Sequence, residues 1–563
     1  MIIKNINKII TLSIVASTFT LGANIPTSGD IQRQVEKPKF EEQEKALPNV
    51  VKEYKAPLVM EDNVTTLIKE FNFIGNTVFS NDELNKLVES YKNQQLGMNK
   101  LKEITSIVTK YYRDNGYFVA RAYLPQQTIK DGIIEIAIIE GTYGGFDLKN
   151  SSLVNDETVQ NYMDYLENGQ IVSTESLERQ MLLINDLSGV VVTNAEVYPG
   201  KEVGTSNFAI TTEATSQFDG YAIADNYGSR YTGQYRLSAG TNINSISNVG
   251  DTLSVSGLIS NTANLKNAGV NYTRPLGYTG LMGTINSSIT KYELDKIPNY
   301  EAFGTAKNIG TGISYPIVKT RSYSQIISLD YAHKIMDDTS GAVNNTEKSE
   351  KSVDSLTLKL DEKRNTNIFN HSGKLFTSIG ITGGKVSLDN DVAKTNDQII
   401  NTNGNFAKLN LSVIHNQQLN PQLSLKTTLK GQKSLGKNLD SSEDSSVGGS
   451  QGVRAYEDSE LSGDQGYTAS LDLIYALPKI NQINHYASVF VDTATMWIND
   501  DKFNSEDNKR NLNAIGLGYD LNYKNFDLKT TFAHGFGTES TPVSESEFSI
   551  NKNKILAQAI MRF

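Results

Sequence analysis

KILAQAIMRF, from Lys554 to Phe563, is the last stretch of the chain. Counting back in twos from the final residue gives an apolar row on one face of a strand: Phe563, Met561, Ala559, Ala557 and Ile555. Such a row suits lipid, and a closed membrane barrel must end on a strand that pairs with its first strand. We therefore expect Met561 and Phe563 to close a barrel and to mark its end for assembly. An ordinary sheet edge is the alternative, which the rest of the chain has to decide.

Composition narrows the classes of protein. The chain has 563 residues, a net charge of -10, no Cys, one Trp, 27 Tyr and 20 Phe. Its mean hydropathy of -0.37 is too polar for a helical membrane protein. A barrel keeps apolar residues at every second position and so looks soluble on average. No basic run is present, which argues against nucleic acid as a partner, and the five scattered His residues predict no metal site.

The beginning of the chain predicts export. Lys4 and Lys8 precede an apolar run that ends at Gly22-Ala23, so residues 1–23 are typical of a signal peptide. A membrane anchor is the alternative, but the run is short for a span. Residues 24–62 are rich in Gln, Glu and Lys and predict a linker with a short helix. The sequence does not decide whether this segment plugs a pore.

Two compact αβ units are expected next, over residues 63–142 and 143–215. Each unit combines short alternating strands with two helical stretches, whose apolar residues recur at three and four positions. In the first unit, Ser80 and Glu83 form a capping box at the start of a helix. Two tandem copies of one topology predict a modular arm and not a single globular enzyme.

Residues 216–563 show period-two alternation, and no helix is expected there. With about 20 residues for each strand and its loop, this region predicts about 16 antiparallel strands of a membrane barrel. A soluble β-sandwich is the alternative reading. Tyr315-Pro316 is predicted as a tight periplasmic turn. The polar stretches predicted as outside loops are Met336–Ser352, Leu388–Asn405, Lys437–Gly452 and Thr538–Glu547.

Several segments resemble one family. Tyr112–Gly141 (YRDNGYFVARAYLPQQTIKDGIIEIAIIEG) is similar to the first polypeptide-transport-associated (POTRA) domain of two-partner secretion transporters, the TpsB or haemolysin activation/secretion family. Ile223–Leu253 resembles the family's opening barrel hairpin. In the second unit, the matching positions are Arg179, Asn185-Asp186, Gly189 and Tyr198-Pro199-Gly200. The resemblance implies an outer-membrane barrel with two periplasmic POTRA domains.

Two late motifs carry the implied mechanism. Val453-Arg454-Ala455-Tyr456 resembles the VRGY motif of the family's inward-folded sixth loop. Phe490-Val491-Asp492-Thr493-Ala494 resembles its barrel-wall motif, and strand parity turns Phe490 and Asp492 into the lumen. Arg454 and Asp492 are expected to form a charge-assisted bond that holds the loop inside. The alternative is a solvated Arg454 and an ordinary lumen carboxylate. Ala455 and Ala494 replace motif glycines, which questions any conformation that requires glycine.

The implied function is transport of an unfolded exoprotein, an adhesin or haemolysin-like client, to the cell surface. Outer-membrane lipid and the barrel-assembly machinery are the other expected partners. No catalytic residue, cofactor or metal is expected. Gly448-Gly449-Ser450-Gln451-Gly452 fits a hydrolase pattern but lacks the strand-turn-helix context. A barrel-assembly factor of the same superfamily is the alternative function, and a passive porin would leave the two αβ units unexplained.

Overall fold

The computed structural model describes residues 26–35, 45–49, 64–166, 169–295, 297–502, 508–537 and 552–563. The expected signal peptide, most of the linker segment and the expected outside loop Thr538–Glu547 lie outside these described residues. Within the linker segment the chain forms helix α1 (Ser28–Gln34), where the Asp30 carboxylate accepts a hydrogen bond from the Thr27 backbone N–H (3.0 Å).

The first αβ unit packs two helices on a three-stranded sheet. Its elements are β1 (Thr65–Ile68), β2 (Glu70–Ile74), α2 (Asn81–Val88), β3 (Gln94–Gly97), α3 (Met98–Asp114), β4 (Arg121–Tyr123) and β5 (Ile133–Ile139). β5 is central, parallel to β2 and antiparallel to β4, while β1 and β3 form a separate two-stranded sheet. Ser80 caps α2, as expected, by accepting from the Glu83 N–H. Phe71, Ile104 and Ile136 form part of the buried core.

The second αβ unit repeats this order. Its elements are β6 (Thr142–Ser151), α4 (Asp156–Asp164), α5 (Thr174–Asp186), β7 (Val191–Pro199) and β8 (Thr205–Glu213). β8 is central, parallel to β6 and antiparallel to β7, so the strands pair as they do in the first unit. Tyr162, Met181 and Phe208 are fully buried between the helices and the sheet. Each unit therefore has a hydrophobic core of its own.

The rest of the chain forms a closed barrel of 16 antiparallel strands, which confirms the expected count. The strands are β9 (Phe218–Asp225), β10 (Arg236–Asn244), β11 (Thr252–Ser260), β12 (Leu265–Pro275), β13 (Met282–Leu294), β14 (Tyr300–Lys319), β15 (Tyr323–Ala342), β16 (Asn345–Ile368), β17 (His371–Leu388), β18 (Gly404–Gln418), β19 (Leu423–Ser434), β22 (Gln465–Ala476), β23 (Ile483–Trp497), β24 (Lys509–Tyr523), β25 (Phe526–Gly535) and β26 (Asn553–Arg562). β20 (Ser445–Val447) and β21 (Leu461–Gly463) pair as a separate two-stranded sheet that is not part of the wall. None of the described helices is both long and apolar enough to cross a membrane.

The last strand closes the barrel. β26 pairs with β25 on one side and with β9 on the other. Ile555, Met561 and Phe563 are 65%, 50% and 65% exposed on the outer face, whereas Leu556 and Ile560 are buried on the inner face. The period-two row read from the sequence therefore faces outward, where lipid surrounds a membrane barrel.

The wall is uneven in height. β16 has 24 residues and pairs along twenty positions with β15, whereas β9 has 8 residues. The ladder between β26 and β9 has five positions, from Gln558 opposite Asp225 to Arg562 opposite Tyr221, and Phe563 adds one more pair with Gly220. The closing joint therefore has far fewer cross-strand rungs than the opposite side of the wall.

Four sequence expectations for the barrel were wrong. Lys437–Gly452 is no outside loop, because it folds into the lumen, where Asp440 and Glu443 pair with lysines of the wall. Met336–Ser352 is no loop, because β15 and β16 continue through it to a tight turn at Val343-Asn344. Tyr315-Pro316 lies inside β14, and the chain turns only after Lys319. A helix, α6 (Asp391–Ile400), occupies the expected loop Leu388–Asn405, with Asn390 as its N-cap.

Candidate gating site

The segment between β19 and β22, residues 435–464, folds into the barrel and carries the first late motif. Val453 and Tyr456 are buried, at 0% and 2% exposure, against the inner faces of β23, β24 and β25. Because a loop facing open water would expose such side chains, their burial shows that this loop is fixed against the wall.

Arg454 contacts the barrel wall through a network of hydrogen bonds. Its Nε and Nη2 donate to Oδ2 and Oδ1 of Asp492 at 2.9 and 2.7 Å, and its backbone N–H donates to Oδ2 at 3.1 Å. Nη1 donates to Oδ1 of Asp472 at 2.7 Å, and Nη2 to Ser470 Oγ at 3.0 Å. The structure thus brings Arg454 and Asp492 together in a bidentate pair, and Asp492 is fully buried.

Ser470 and Asp472, both on β22, are site residues that the sequence reading missed. Ser470 Oγ donates to Asp492 Oδ1 at 2.7 Å, so the hydroxyl links the Arg454 guanidinium to the carboxylate. The parity of β22 could have shown that both side chains face the lumen, but their approach to Asp492 depends on the pairing of β22 with β23.

The ring of Phe490 contacts the Arg454 side chain of this pair. The Arg454 Cζ atom lies 3.4 Å from the centre of the Phe490 ring, which is a cation–π contact. The ring rests on Gly516 of β24, where an added Cβ would come within 2.3 Å of the Phe490 Cζ. The missing side chain at Gly516 therefore makes room for the ring that supports Arg454.

The two alanines that replace motif glycines fit without strain. Ala455 and Ala494 both have ordinary negative φ angles, and Ala494 pairs regularly within β23. Their methyl groups are buried in the apolar contact between the loop and the wall. Gly535 gives space to Tyr456, whose hydroxyl would lie 3.0 Å from a Cβ at that position. No glycine conformation is needed at either alanine.

The earlier part of the loop is held by ion pairs to the opposite wall. Glu443 lies 2.6 Å from Lys334 Nζ and 2.8 Å from Lys408 Nζ, while Asp440 lies 2.7 Å from Lys351 Nζ. Burial alone would raise the pKa of Glu443, but the two ammonium groups lower this pKa to about 2. Buried carboxylates paired in this way stay charged at neutral pH and fix the loop.

Helix α1 also lies in the barrel, between the loop and strands β13 to β15. The Ser28 N–H and Oγ both donate to the Asp338 carboxylate at 2.8 Å. Arg33 donates to the Asp444 carbonyl at 3.0 Å and to Ser462 Oγ at 3.2 Å. Gly29 packs so closely on the loop that a Cβ would lie 2.6 Å from the Ser442 nitrogen. The helix and the loop therefore occupy the lumen together.

The second αβ unit is attached by polar contacts to the end of the barrel where β14 turns into β15, which is opposite to the end that α1 contacts. Asp186 pairs with Lys319 at 2.7 Å, and Glu178 pairs with Arg321 at 2.7 Å. Lys45, from the linker segment, donates to three backbone carbonyl groups at the end of α5 and just after it, those of Asn185, Leu187 and Val190. The linker thus connects this unit to the helix in the lumen.

Comparisons with known proteins agree with this architecture. The pattern of the POTRA domain, ShlB-type, matches residues 66–141, and that of the haemolysin secretion/activation protein ShlB/FhaC/HecB matches residues 204–521. The heme/hemopexin transporter protein HuxB of Haemophilus influenzae strain 86-028NP is 26% identical over 491 residues, 86% of each chain. The outer membrane transporter CdiB of Escherichia coli is 23% identical over 433 residues, 74% of this chain and 70% of CdiB.

Two solved structures share the fold. CdiB from Escherichia coli superposes with a TM-score of 0.71 at 19% identity, covering 92% of this chain and 94% of CdiB. CdiB from Acinetobacter baumannii gives 0.63 at 16% identity, covering 94% and 95%. The ShlB/FhaC/HecB pattern spans more than half of the sequence, from the end of the second αβ unit across most of the barrel. The chain therefore belongs to the haemolysin secretion/activation protein family ShlB/FhaC/HecB, outer-membrane transporters of two-partner secretion.

Proposed function

We propose that this transporter binds an unfolded exoprotein with its periplasmic units and moves it through the barrel to the cell surface. The observation that carries the proposal is the bidentate pair of Arg454 and Asp492 inside a closed wall. A loop held in the lumen by a buried pair keeps the path closed until a client displaces it. The client class is a large secreted adhesin or haemolysin-like protein.

The second αβ unit is, in this proposal, a second POTRA domain. Its strands pair in the order of the first unit, with the last strand central. An extended client segment can add to an exposed strand of such a sheet through main-chain hydrogen bonds. Because this unit contacts the barrel through Lys319 and Arg321, a client bound to it would lie next to the entrance of the lumen.

Loop and helix must both leave the central path during transport. Arg454 and Glu443 hold the loop from two sides of the wall, and Ser28 holds α1. Breaking a buried ion pair costs about 3 to 5 kcal/mol, so the closed state is strongly favoured at rest. We propose that client binding and client folding outside the cell supply this free energy.

Gene deletion in the native host distinguishes the candidate functions. We expect the culture medium to lose one large exoprotein, which returns when the wild-type gene is restored, while other outer-membrane barrels keep their normal levels. A general loss of barrels would indicate the alternative, a barrel-assembly factor. An unchanged set of exoproteins would contradict the transport function.

Restoring the gene with Arg454→Ala tests the site itself. The variant barrel should insert normally and release much less exoprotein than wild type, because a loop that leaves the wall without a client lets ions pass but no longer couples its displacement to client binding. Arg274→Ala is the matched control, because Arg274 is an exposed arginine at the end of β12. Wild-type release by the Arg454 variant would contradict a gating role for this residue.

A further inference from the structure

Three lysines form a patch on the outer face of the barrel near its extracellular end. Lys266 on β12, Lys291 on β13 and Lys307 on β14 are all exposed and all point outward. We call these three residues the lysine patch. They lie on three neighbouring strands, so their ammonium groups share one small area of the wall.

The patch brings like charges together. Lys266 is directly opposite Lys291 in the antiparallel pair of β12 and β13. Lys291 is opposite Thr305, two residues from Lys307 on the same face of β14. Directly opposed side chains have Cβ atoms about 4.5 to 5.5 Å apart, and equal charges at that spacing destabilise a sheet.

No carboxylate of the described residues neutralises the patch. None of its three ammonium groups forms an ion pair there, although Glu293 and Glu301 occupy nearby outward positions on β13 and β14. Long lysine side chains on a barrel surface can direct their charges toward an interface. Asp337 on β15 also faces outward, opposite Thr305, but it pairs with Lys348, so within the described part of the chain the patch presents three ammonium groups without an ion pair to its surroundings.

The position of the lysine patch along the barrel axis shows which part of the membrane surrounds it. On each strand, the outward positions between the lysine and the periplasmic end carry exposed apolar residues. These are Val270 on β12, Ile285 on β13, and Ile309 and Ile313 on β14. Such a row is the lipid-facing band of the barrel. The lysines follow at the extracellular edge of this band, where the headgroups of the outer leaflet lie.

We propose that the lysine patch binds the phosphate-bearing headgroup of an outer-leaflet glycolipid. A phosphate between Lys266 and Lys291 would accept charge-assisted hydrogen bonds from both and remove their repulsion. The patch would fix a lipid on the outer face of the wall, and two of its strands, β13 and β14, contact α1 from the lumen side. This role is independent of client transport.

Native mass spectrometry of the full, folded chain tests the proposal. The probes are a diphosphorylated disaccharide lipid, its dephosphorylated form and inorganic phosphate. We expect wild-type protein to prefer the diphosphorylated lipid over the dephosphorylated one. A variant with Lys266→Gln, Lys291→Gln and Lys307→Gln should lose affinity for it on the order of 100-fold, since each lysine near a charged lipid surface contributes about fivefold.

The matched control removes three exposed lysines from the αβ units, by Lys69→Gln, Lys149→Gln and Lys201→Gln, and should bind as wild type does. If the triple patch variant does not fold, Lys291→Gln alone should weaken binding about fivefold. Equal affinity of the patch variant and wild type would overturn the proposal. Equal binding of the dephosphorylated lipid, or displacement of the lipid by an equal concentration of inorganic phosphate, would also overturn it.

Discussion

The Cζ atom of Arg454 lies 3.4 Å from the centre of the Phe490 ring, while its guanidinium N–H groups bind the Asp492 carboxylate. One residue of the loop thus makes an ionic and an aromatic contact with the same strand. Because Asp492 is fully buried, the pair is shielded from water, and its loss leaves an uncompensated buried charge.

Replacing Arg454 should release the loop. For Arg454→Ala we expect a shift of about 100-fold in the equilibrium between held and released loop, from about 3 kcal/mol of lost pairing. Arg454→Lys should give an intermediate effect, since an ammonium group cannot form the bidentate, stacked contact. Channel conductance in planar bilayers measures the released fraction. Equal conductance of wild type and Arg454→Ala would contradict this expectation.

Gly516→Ala should weaken the same contact indirectly. The new methyl group would displace the Phe490 ring and touch the Phe532 carbonyl, at a cost of about 1 to 3 kcal/mol. We expect frequent channel openings and a lower melting temperature. Gly383→Ala is the matched control, because a Cβ there meets nothing within 4 Å. The prediction fails if the two variants behave alike.

Helix α1 should loosen when Asp338 is replaced. Asp338→Ala removes the acceptor of two Ser28 hydrogen bonds, each worth about 1.5 to 3 kcal/mol when the acceptor is charged. Since the natural chain has no Cys, a single Gln34→Cys reports how easily a maleimide reaches the helix. Labelling should be faster in the Asp338 variant. Asp330→Ala, at an exposed position of the same strand, should leave the labelling rate unchanged.

Loop docking should strengthen as the pH falls from above 6 to about 4. Burial raises the pKa of Asp464 to about 6, although the N–H groups of Leu439 and Asp500 donate to its carboxylate. The folded state therefore binds this proton more tightly than the unfolded chain, and it gains stability as the carboxyl becomes protonated. Burial also raises the pKa of Asp444, which interacts with Asp464. Conductance recorded across this pH range should decrease toward acid, and the double change Asp444→Asn with Asp464→Asn should flatten it.

Glu443 should not contribute to the change of loop docking between pH 6 and 4. Its folded pKa is lowered to about 2, so its stabilising charge is complete above about pH 4.5 and is lost only as the pH falls toward 2. Glu443→Gln should raise conductance about equally at every pH from 5 to 8. A conductance change confined to the acidic end would instead assign the titration to Glu443.

Phe563 should promote barrel insertion through its backbone hydrogen bonds as well as its ring. The Phe563 N–H and C=O pair with Gly220 at 3.1 and 2.9 Å, and the ring lies where a Gly220 side chain would be. Phe563→Ala keeps both hydrogen bonds and should insert better than a chain from which Phe563 is deleted. The fraction of barrel that resists unfolding in cold detergent measures insertion. Equal fractions for the two variants would assign the whole effect to the ring.

Strand periodicity predicts much of this barrel, because residues that face lipid are apolar, residues that face the lumen are polar, and the two alternate along each strand. This parity predicts Asp492 inside the barrel and Met561 outside it. It failed for Met336–Ser352, where both faces of the extended wall are polar and so look like a loop. The helix at Asp391–Ile400 was missed although Asn390 offered a capping signal.

The partners of Arg454 on β22 could not be predicted, because they depend on register. Ser470 lies opposite Asp492 only in the observed alignment of β22 and β23, and a shift of one residue would turn it outward. The ion pairs of Glu443 join it to Lys334 and Lys408, which are 109 and 35 positions away along the chain. Such contacts arise from the closure of the barrel, which no local pattern describes.

The uneven wall has a mechanical consequence. Under lateral tension in the membrane, a cylinder of strands breaks where the fewest hydrogen bonds resist, and here that joint lies between β9 and β26. The twenty paired positions of β15 with β16 would still hold at a load that separates the five ladder positions and the Gly220–Phe563 pair of this joint. The strength of the entire cylinder is thus set by a strip a few residues long, which ends at Phe563.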